Sequence, residues 1–303
     1  MGLKTAICTI SSQSHWFKAR ALFESLNDKT GADFYCLITD ANSQHFQDDR
    51  MQVMFIDDFS SSVSVSLRNR YKGNKLRWAH KPILLSYLLN QGYDAVIYVD
   101  NDICFFSSPD FLFDLLKDKS ILLSPHFYPA SPLKNQIWLE ANFKTGLYNA
   151  GFVGVSSKAL NAMDWWASSC NYTMKKSYSR GLFDDQKYLD LFPVLFDDVE
   201  ILKHRGCNVA GWNIDSSPRT IDEMGHIRIH ASWPLVFVHF NYYTMQCILD
   251  GRDALLIPCW NIYHAMLVKY NPSYHFKKEL KPIYHFLRAY RDYALFRFNR
   301  LFD

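Results

Sequence analysis

The sequence predicts an α/β protein with a mostly parallel central sheet flanked by helices, plus a helical tail at its C-terminal end. Three observations lead there. Short apolar runs of β character alternate with helical patterns through the first 125 residues, the order expected of a wound sheet. Residues 95–99, Ala-Val-Ile-Tyr-Val, are led in by Gly92 and rich in β-branched and aromatic side chains, as in an interior strand covered on both faces. The chain has 303 residues, 49% hydrophobic and 21% charged, ample for a core, and no low-complexity or Pro/Gly-rich linker divides it.

Along the chain, residues 5–10 read as a first strand, 14–26 as a helix opened by a Ser cap, 33–39 as a second strand and 51–56 as a third. Helical patterns recur at 78–89, with Pro82 in the first turn, and at 109–116, where Pro109 suits a first turn. Residues 121–124 read as a further strand. Residues 148–155 join a small polar turn to an apolar strand, 187–191 look helical, and 236–240 carry a β pattern around one histidine. No internal repeat is present. Composition does not break before residue 269, so residues 1–268 are expected to form one domain.

Seven cysteines are scattered, odd in number and without a Cys-x-x-Cys spacing, which argues against zinc or redox work and suggests a reducing, cytoplasmic setting. The apolar stretch before Ser11 is too short for a secretory signal, and no window of eighteen apolar residues exists. Neither Gly-x-Gly-x-x-Gly after Ile10 nor a P-loop is present, so any phosphate must be held by metal and side chains.

The chemistry concentrates at Asp100-Asn101-Asp102. Ligands of open α/β sheets collect beyond the carboxyl ends of the strands, and carboxylates are hard oxygen ligands suited to Mn²⁺ or Mg²⁺ bound to a phosphate-bearing substrate. Asn149 can offer its amide to a sugar hydroxyl, and Gly151 lets backbone approach closely; the alternative is a turn selected for backbone shape. Asp184-Asp185-Gln186 is a second acidic group, or simply a helix cap. His239 is either a core histidine or a ligand.

Six segments occur in order: Lys81-Pro82-Ile83-Leu84-Leu85; Gly92 through Asp100-Asn101-Asp102-Ile103; Tyr148-Asn149-Ala150-Gly151-Phe152; Asp185-Gln186-Lys187; Asn208-Val209-Ala210-Gly211-Trp212-Asn213; and Val238-His239-Phe240. In combination they resemble a bacterial GT-A-fold glycosyltransferase of the family 8 group, over residues 3–245. The resemblance implies a Rossmann-like nucleotide-diphospho-sugar transferase in which Asp100, Asp102 and His239 hold Mn²⁺ (or Mg²⁺) against the donor diphosphate. It also implies that Thr9, Ile10, Asp40 and Asn101 border the nucleotide of a UDP-sugar, that Lys81 partners its phosphate, and that Asn149, Gly151, Asp185 and Gln186 surround the donor sugar. An inverting reaction needs a carboxylate base, for which Asp185 or Asp184 is available, whereas a retaining one needs none on that face. The chain departs from the family after His239, where Phe240-Asn241-Tyr242-Tyr243 replaces Gly, Lys, Pro and Trp. His126, Trp212 and Asn213 fall where acceptor loops are expected, or in the core.

Residues 270–303 carry seven Lys/Arg against three Asp/Glu, whereas the whole chain is only +3. Ile283, Phe286, Leu287, Tyr290, Ala294 and Leu301 recur at helical spacing among Arg288, Arg291, Arg297 and Arg300. Two readings stand: the 269–303 tail lies on the cytoplasmic face of the inner membrane, or it packs on the catalytic domain with its arginines solvated. Membrane contact suits a glycan or lipid-linked saccharide acceptor in surface-polysaccharide assembly. Nucleic acid is a poor partner, since no basic stripe runs through the body. A sugar nucleotidyltransferase would need a Gly-rich loop where Ser11-Ser12-Gln13-Ser14 stands. A non-catalytic nucleotide-sugar-binding scaffold would tolerate loss of a metal ligand, and all are present.

Overall fold

The computed structural model describes residues 2–41 and 51–276. Among these, the elements in chain order begin with β1 (Thr5–Ser11), α1 (Trp16–Leu26), β2 (Asp33–Ile38), β3 (Gln52–Phe55), α2 (Ser62–Arg70), α3 (Gly73–Ala79), α4 (Lys81–Asn90), β4 (Ala95–Val99) and β5 (Ile103–Phe105). There follow α5 (Asp110–Asp118), β6 (Ile121–Pro125), α6 (Gln136–Lys144), β7 (Tyr148–Ser156), α7 (Leu160–Tyr172), α8 (Phe192–Leu195) and β8 (Val199–Ile201). The last are β9 (Arg219–Ile221), β10 (Ile227–Ile229), β11 (Trp233–Pro234), β12 (Phe237–His239), α9 (Tyr242–Leu249) and α10 (Ile257–Tyr270).

Seven strands form the central sheet in the order β3-β2-β1-β4-β7-β6-β8. Strands β3, β2, β1 and β4 run parallel, β7 is antiparallel to both neighbours, and β8 is parallel to β6. The α/β class with a mostly parallel sheet is therefore as expected, and β4 is an interior strand with all five residues buried. Its side chains alternate between two apolar clusters, one on each face of the sheet: Val96 and Tyr98 join Leu84, Leu88 and Trp166, while Ala95, Ile97 and Val99 join Leu22, Leu112 and Phe113. Helices α4 and α7 supply the first face, α1 and α5 the second. Burying Ile97 alone is worth about 2 kcal/mol.

Local details differ from the expectation for identifiable reasons. Ser14 caps no helix: Ser12 and Ser14 bond the His15 ring at 2.8 and 3.0 Å, residues 13–15 form a 3₁₀ turn, and α1 starts at Trp16. The helix expected over 78–89 is two helices meeting at His80, because Pro82 starts a new first turn in α4. Pro109 sits one position before α5. Residues 186–191 form 3₁₀ rather than α structure.

A two-stranded antiparallel ladder, β5 with β12, lies beyond the end of β4 and aligns His239 with Ile103. The described residues up to Pro272 form one compact unit, with α10 ending at Tyr270. In the second unit, Ser273–Asp303, the helix expected over 283–301 lies outside the described residues.

Candidate active site

The chain leaves β4 at Val99 and turns, placing Asp100 and Asp102 at the carboxyl end of the sheet's central parallel strands. Phe240 N donates to Asp102 O at 2.7 Å, extending the β5–β12 ladder, so the position of His239 beside the acidic pair is fixed by backbone pairing. Its Nε2 lies 3.1 Å from Asp102 Oδ1 and 4.0 Å from Asp100 Oδ2. One ligand atom from each of Asp100, Asp102 and His239 falls within 4.8 Å of the others. Two carboxylates and an imidazole in this arrangement fit a divalent first-row cation, Mn²⁺ among them.

The other ring nitrogen of His239 faces Asn208 Oδ1 at 3.3 Å, so Nδ1 donates and Nε2 is left to face the carboxylates. Asn208 is wholly buried with φ +56°, and is brought here by a parallel bridge between Val209 and Val238. Burial opposes a charge on His239, but Asp102 and Asp100 together outweigh it and raise the imidazole pKa. Against its own burial, Asp102 is held below the usual carboxylate range by His239.

Strand β7 supplies the opposite wall. Asp100 N donates to Gly151 O at 2.9 Å, so this strand runs hard against the acidic pair. A Cβ at Gly151 would stand 2.6 Å from His239 Cε1 and 2.9 Å from Asp100 Oδ2, so any side chain here would displace the residues of the site. Asn149 accepts from Gly151 N at 2.9 Å and turns its amide nitrogen to His126 Nε2 at 3.1 Å. His126 stays neutral, pushed down to about 3 by burial, with Nδ1 3.3 Å from Leu147 O.

Lys81, 2% exposed at the start of α4, reaches across the site. Its Nζ donates to Ala150 O at 2.9 Å and lies 3.1 Å from Asp185 Oδ2 and 3.4 Å from Asp100 Oδ1. Burial opposes its charge, but the two aspartates outweigh burial and raise its pKa. Lys81 thus ties the two acidic groups together. Tyr98 O–H donates to Asp100 Oδ1 at 2.7 Å. Burial raises the Asp185 carboxyl to about 6, against the pull of Lys81, and its backbone oxygen accepts from Trp166 Nε1 at 2.9 Å. Asp184, at φ +47°, points elsewhere and pairs with Lys176 at 2.9 Å. Gln186 bridges Ala150 N at 3.3 Å and Thr145 O at 2.9 Å.

On the side of β1, Asn101 donates to Ile10 O and Ser11 Oγ at 3.3 and 3.0 Å. The side chains of Thr9 and Ile10 are buried, Thr9 Oγ1 without a hydrogen-bond partner, so at Ile10 it is the backbone carbonyl that meets Asn101. Asp40 accepts from Gln13 N at 2.8 Å. Burial, then the charges of Lys18 and Arg77, hold His15 below its ordinary pKa. Burial lowers the Arg77 pKa against the opposing pull of Asp40, Tyr98 and Asp100.

No family model matches the chain. The uncharacterized protein YfnF of Bacillus subtilis (strain 168) is 28% identical over 266 residues, covering 83% of this chain and 86% of YfnF. Among solved structures, the glycosyltransferase GlyE of Streptococcus pneumoniae TIGR4 aligns with a TM-score of 0.50 at 14% identity, over 92% of this chain and 66% of GlyE. The WbbM bifunctional glycosyltransferase aligns at 0.48 and 13%, over 79% of this chain and 46% of WbbM. The chain thus spans about half to two thirds of the length of these solved chains. The fold is that of a GT-A glycosyltransferase.

In this GT-A frame, several further residues join the site: Tyr98, Asn208, Lys18, whose charge helps lower the Asp102 pKa, and Arg77, which feels the charge of Asp100. Asn208 opens the Asn208–Asn213 motif, but only the bridge from Val209 to Val238 reveals its contact. Trp212 and Asn213, expected near an acceptor, are 6% and 1% exposed and bond the His126 carbonyl at 2.9 and 3.2 Å. They back the wall that holds Asn149.

Proposed function

We propose that this chain is a metal-dependent glycosyltransferase of the family 8 group, a hexosyltransferase that moves a sugar from a UDP-sugar to a glycan or lipid-linked saccharide in bacterial surface-polysaccharide assembly. The observation that carries the proposal is the convergence of Asp100, Asp102 and His239 at the carboxyl end of the parallel strands, with ligand atoms within 4.8 Å. These three would hold Mn²⁺ or Mg²⁺. When bound, the cation supplies Lewis-acid stabilisation of the charge that develops on the departing diphosphate.

The remaining roles belong to the chain itself. Asn208 fixes the His239 tautomer, and Tyr98 and Lys81 fix Asp100. The Ile10–Ser11 strand end, Asn101 and Asp40 border the nucleotide, with Thr9 buried behind them. Asn149, Gly151, Asp185 and Gln186 line the donor-sugar side. Lys81 keeps Asp185 ionised near neutrality, where the carboxylate accepts hydrogen bonds from sugar hydroxyls. Lys81 partners the donor phosphate, and Lys18 and Arg77 add positive charge on the same side. The catalytic domain is taken as residues 1–268, and the basic 269–303 tail as its contact with the cytoplasmic membrane face; among the described residues no helix is long and apolar enough to cross a membrane.

The test is release of free nucleotide from a panel of UDP-, GDP- and CMP-sugars, with Mn²⁺ or EDTA, on wild type and Asp102→Ala. Turnover of one UDP-sugar, abolished by EDTA and by the substitution, is expected. Failure of every nucleotide sugar to bind would overturn the donor-site assignment. UDP-sugar turnover that persists in EDTA would overturn the metal role.

A further inference from the structure

We propose that the cavity of about 310 Å³ between α6, the 211–213 turn and α9 binds a neutral pyranose of the acceptor glycan, with Trp138 and Tyr243 as its stacking platform. The proposal rests on the transferase reading above and adds a subsite to it.

Three aromatic side chains face this space: Trp138, Trp212 and Tyr243. Trp138 and Tyr243 lie 5.8 Å apart between ring centroids, from two different helices. A pyranose presents C–H faces that suit aromatic rings and a rim of hydroxyls that needs donors and acceptors. The rim here has both. Asp215 is held by Asn135 Nδ2 at 2.7 Å on one carboxylate oxygen. Arg252 lies over the Tyr243 ring at 5.3 Å and donates to its hydroxyl at 3.2 Å. One carboxylate and one guanidinium leave the lining without net charge, which favours a neutral sugar over an acidic one. The volume is at the small end of ligand pockets and suits a terminal sugar unit.

Position supports the same conclusion. Trp212 is shared: it lines the cavity, and its ring meets His239 edge-on at 5.3 Å. Trp138 stacks on Tyr128 at 5.2 Å, and Tyr128 stacks on His126 at 4.5 Å, the residue that holds Asn149. The cavity therefore lies one aromatic ring, Trp212, from His239 and shares no lining residue with the proposed donor pocket. Helix α6 buries none of its own residues, and Ile137 and Phe143 are 82% and 69% exposed. A helix with so little buried surface of its own is the element expected to close over a ligand rather than to build a core.

The experiment is saturation-transfer NMR with the methyl glycosides of glucose, galactose, mannose and N-acetylglucosamine, on the full chain without nucleotide. Saturation of at least one glycoside is expected, weakened about tenfold by Trp138→Ala, the loss one aromatic anchor produces. Asp215→Asn, on an exposed side chain, is expected to weaken the same glycoside. No saturation from any of the four, or saturation equal in wild type and both variants, would overturn the subsite. Because the readout needs no donor, metal or turnover, a chain that binds a glycoside through Trp138 yet binds no nucleotide sugar would retain the subsite and lose the transferase reading.

Discussion

Replacing Gly151 by alanine isolates the steric fit that the acidic pair and His239 make with β7. The added Cβ would sit 2.6 Å from Asn149 Oδ1, 2.6 Å from His239 Cε1 and 2.9 Å from Asp100 Oδ2, where ordinary contact begins at 3.4 Å. Two neighbours must therefore retreat by about 0.8 Å and the third by about 0.5 Å. None is free to do so: Asn149 is held by His126, His239 by Asn208 and Asp102, and Asp100 by Tyr98 and Lys81. Overpacking of this kind costs about 1–3 kcal/mol, and disturbing the support of a metal ligand costs about 10–100-fold in affinity. Calorimetric titration with Mn²⁺ and urea denaturation in EDTA read the two effects separately. Gly154→Ala is the control, since its Cβ would meet Leu122 and Leu116 at 3.2–3.3 Å in the core, away from the site; it should lower stability and leave Mn²⁺ affinity unchanged. An alanine at 151 with wild-type stability and wild-type Mn²⁺ affinity would refute the close approach.

Asn208→Ala removes the acceptor that fixes His239 Nδ1–H; Mn²⁺ affinity should fall about 10–100-fold, and nitrogen-15 shifts of the His239 ring should show a mixed tautomer. Unchanged shifts would exclude the positioning role. Stability should also depend on His80, which is buried with Nδ1 2.9 Å from Leu76 O and Nε2 3.0 Å from Ser64 Oγ, and is pushed down by burial to about 4 from 6.5. The unfolded chain takes up the proton first, so this contribution is full above pH 6.5 and is lost as pH falls toward 4, about 3 kcal/mol in all. Urea midpoints of His80→Leu should lie lower at pH 7 but vary less between pH 7 and 4 than those of wild type; an equal pH dependence would contradict the assignment. The Arg219–Asp253 pair, at 3.0 Å with side chains 2% and 3% exposed, predicts a loss of about 3–5 kcal/mol for Arg219→Met, with much of it recovered in the double variant carrying Asp253→Leu. A single variant as stable as wild type would show that the pair is not buried in solution.

What the sequence made legible followed from patterns confined to one segment. The interior strand at 95–99 could be read because a strand buried on both faces has no polar alternation to obscure it, and the acidic pair stands out at its end. The direction of β7 could not be read, since all nine of its residues are buried and an antiparallel interior strand has the same apolar run as a parallel one. The Ser14 cap failed because side chains of the 12–15 segment bond one another ahead of the helix. At the site, Asp100, Asp102, Asn149, Gly151, Asp185 and His239 each carried a weak local signal and were legible only through the order of their motifs along the chain; the fold draws them to one place. Their supports were hidden. Asn208 meets His239 across 31 residues, and Lys81 meets Ala150 across 69, distances over which no local pattern reports contact.

Charge gives the site its direction. Asp100, Asp102 and Asp185 bring three carboxylates together, and Lys81 is the cation that reaches two of them; Asp184 is neutralised elsewhere, by Lys176. A charged His239 offsets one of these carboxylates; were it to ligate a cation it would be neutral, and the set would carry an excess of two negative charges. Packing does not account for that excess. Neutral side chains would fill the same volume at lower cost, because like charges held this close repel one another even when each is paired. The antiparallel register of β12 against β5 adds an imidazole to the acidic side of the set, opposite Lys81, rather than a second lysine or arginine. A core histidine would require only one hydrogen-bond partner per nitrogen in an apolar wall. Here Nδ1 is given one to Asn208, and Nε2 is turned into the carboxylates, the arrangement in which one divalent ion both completes the coordination and cancels the charge.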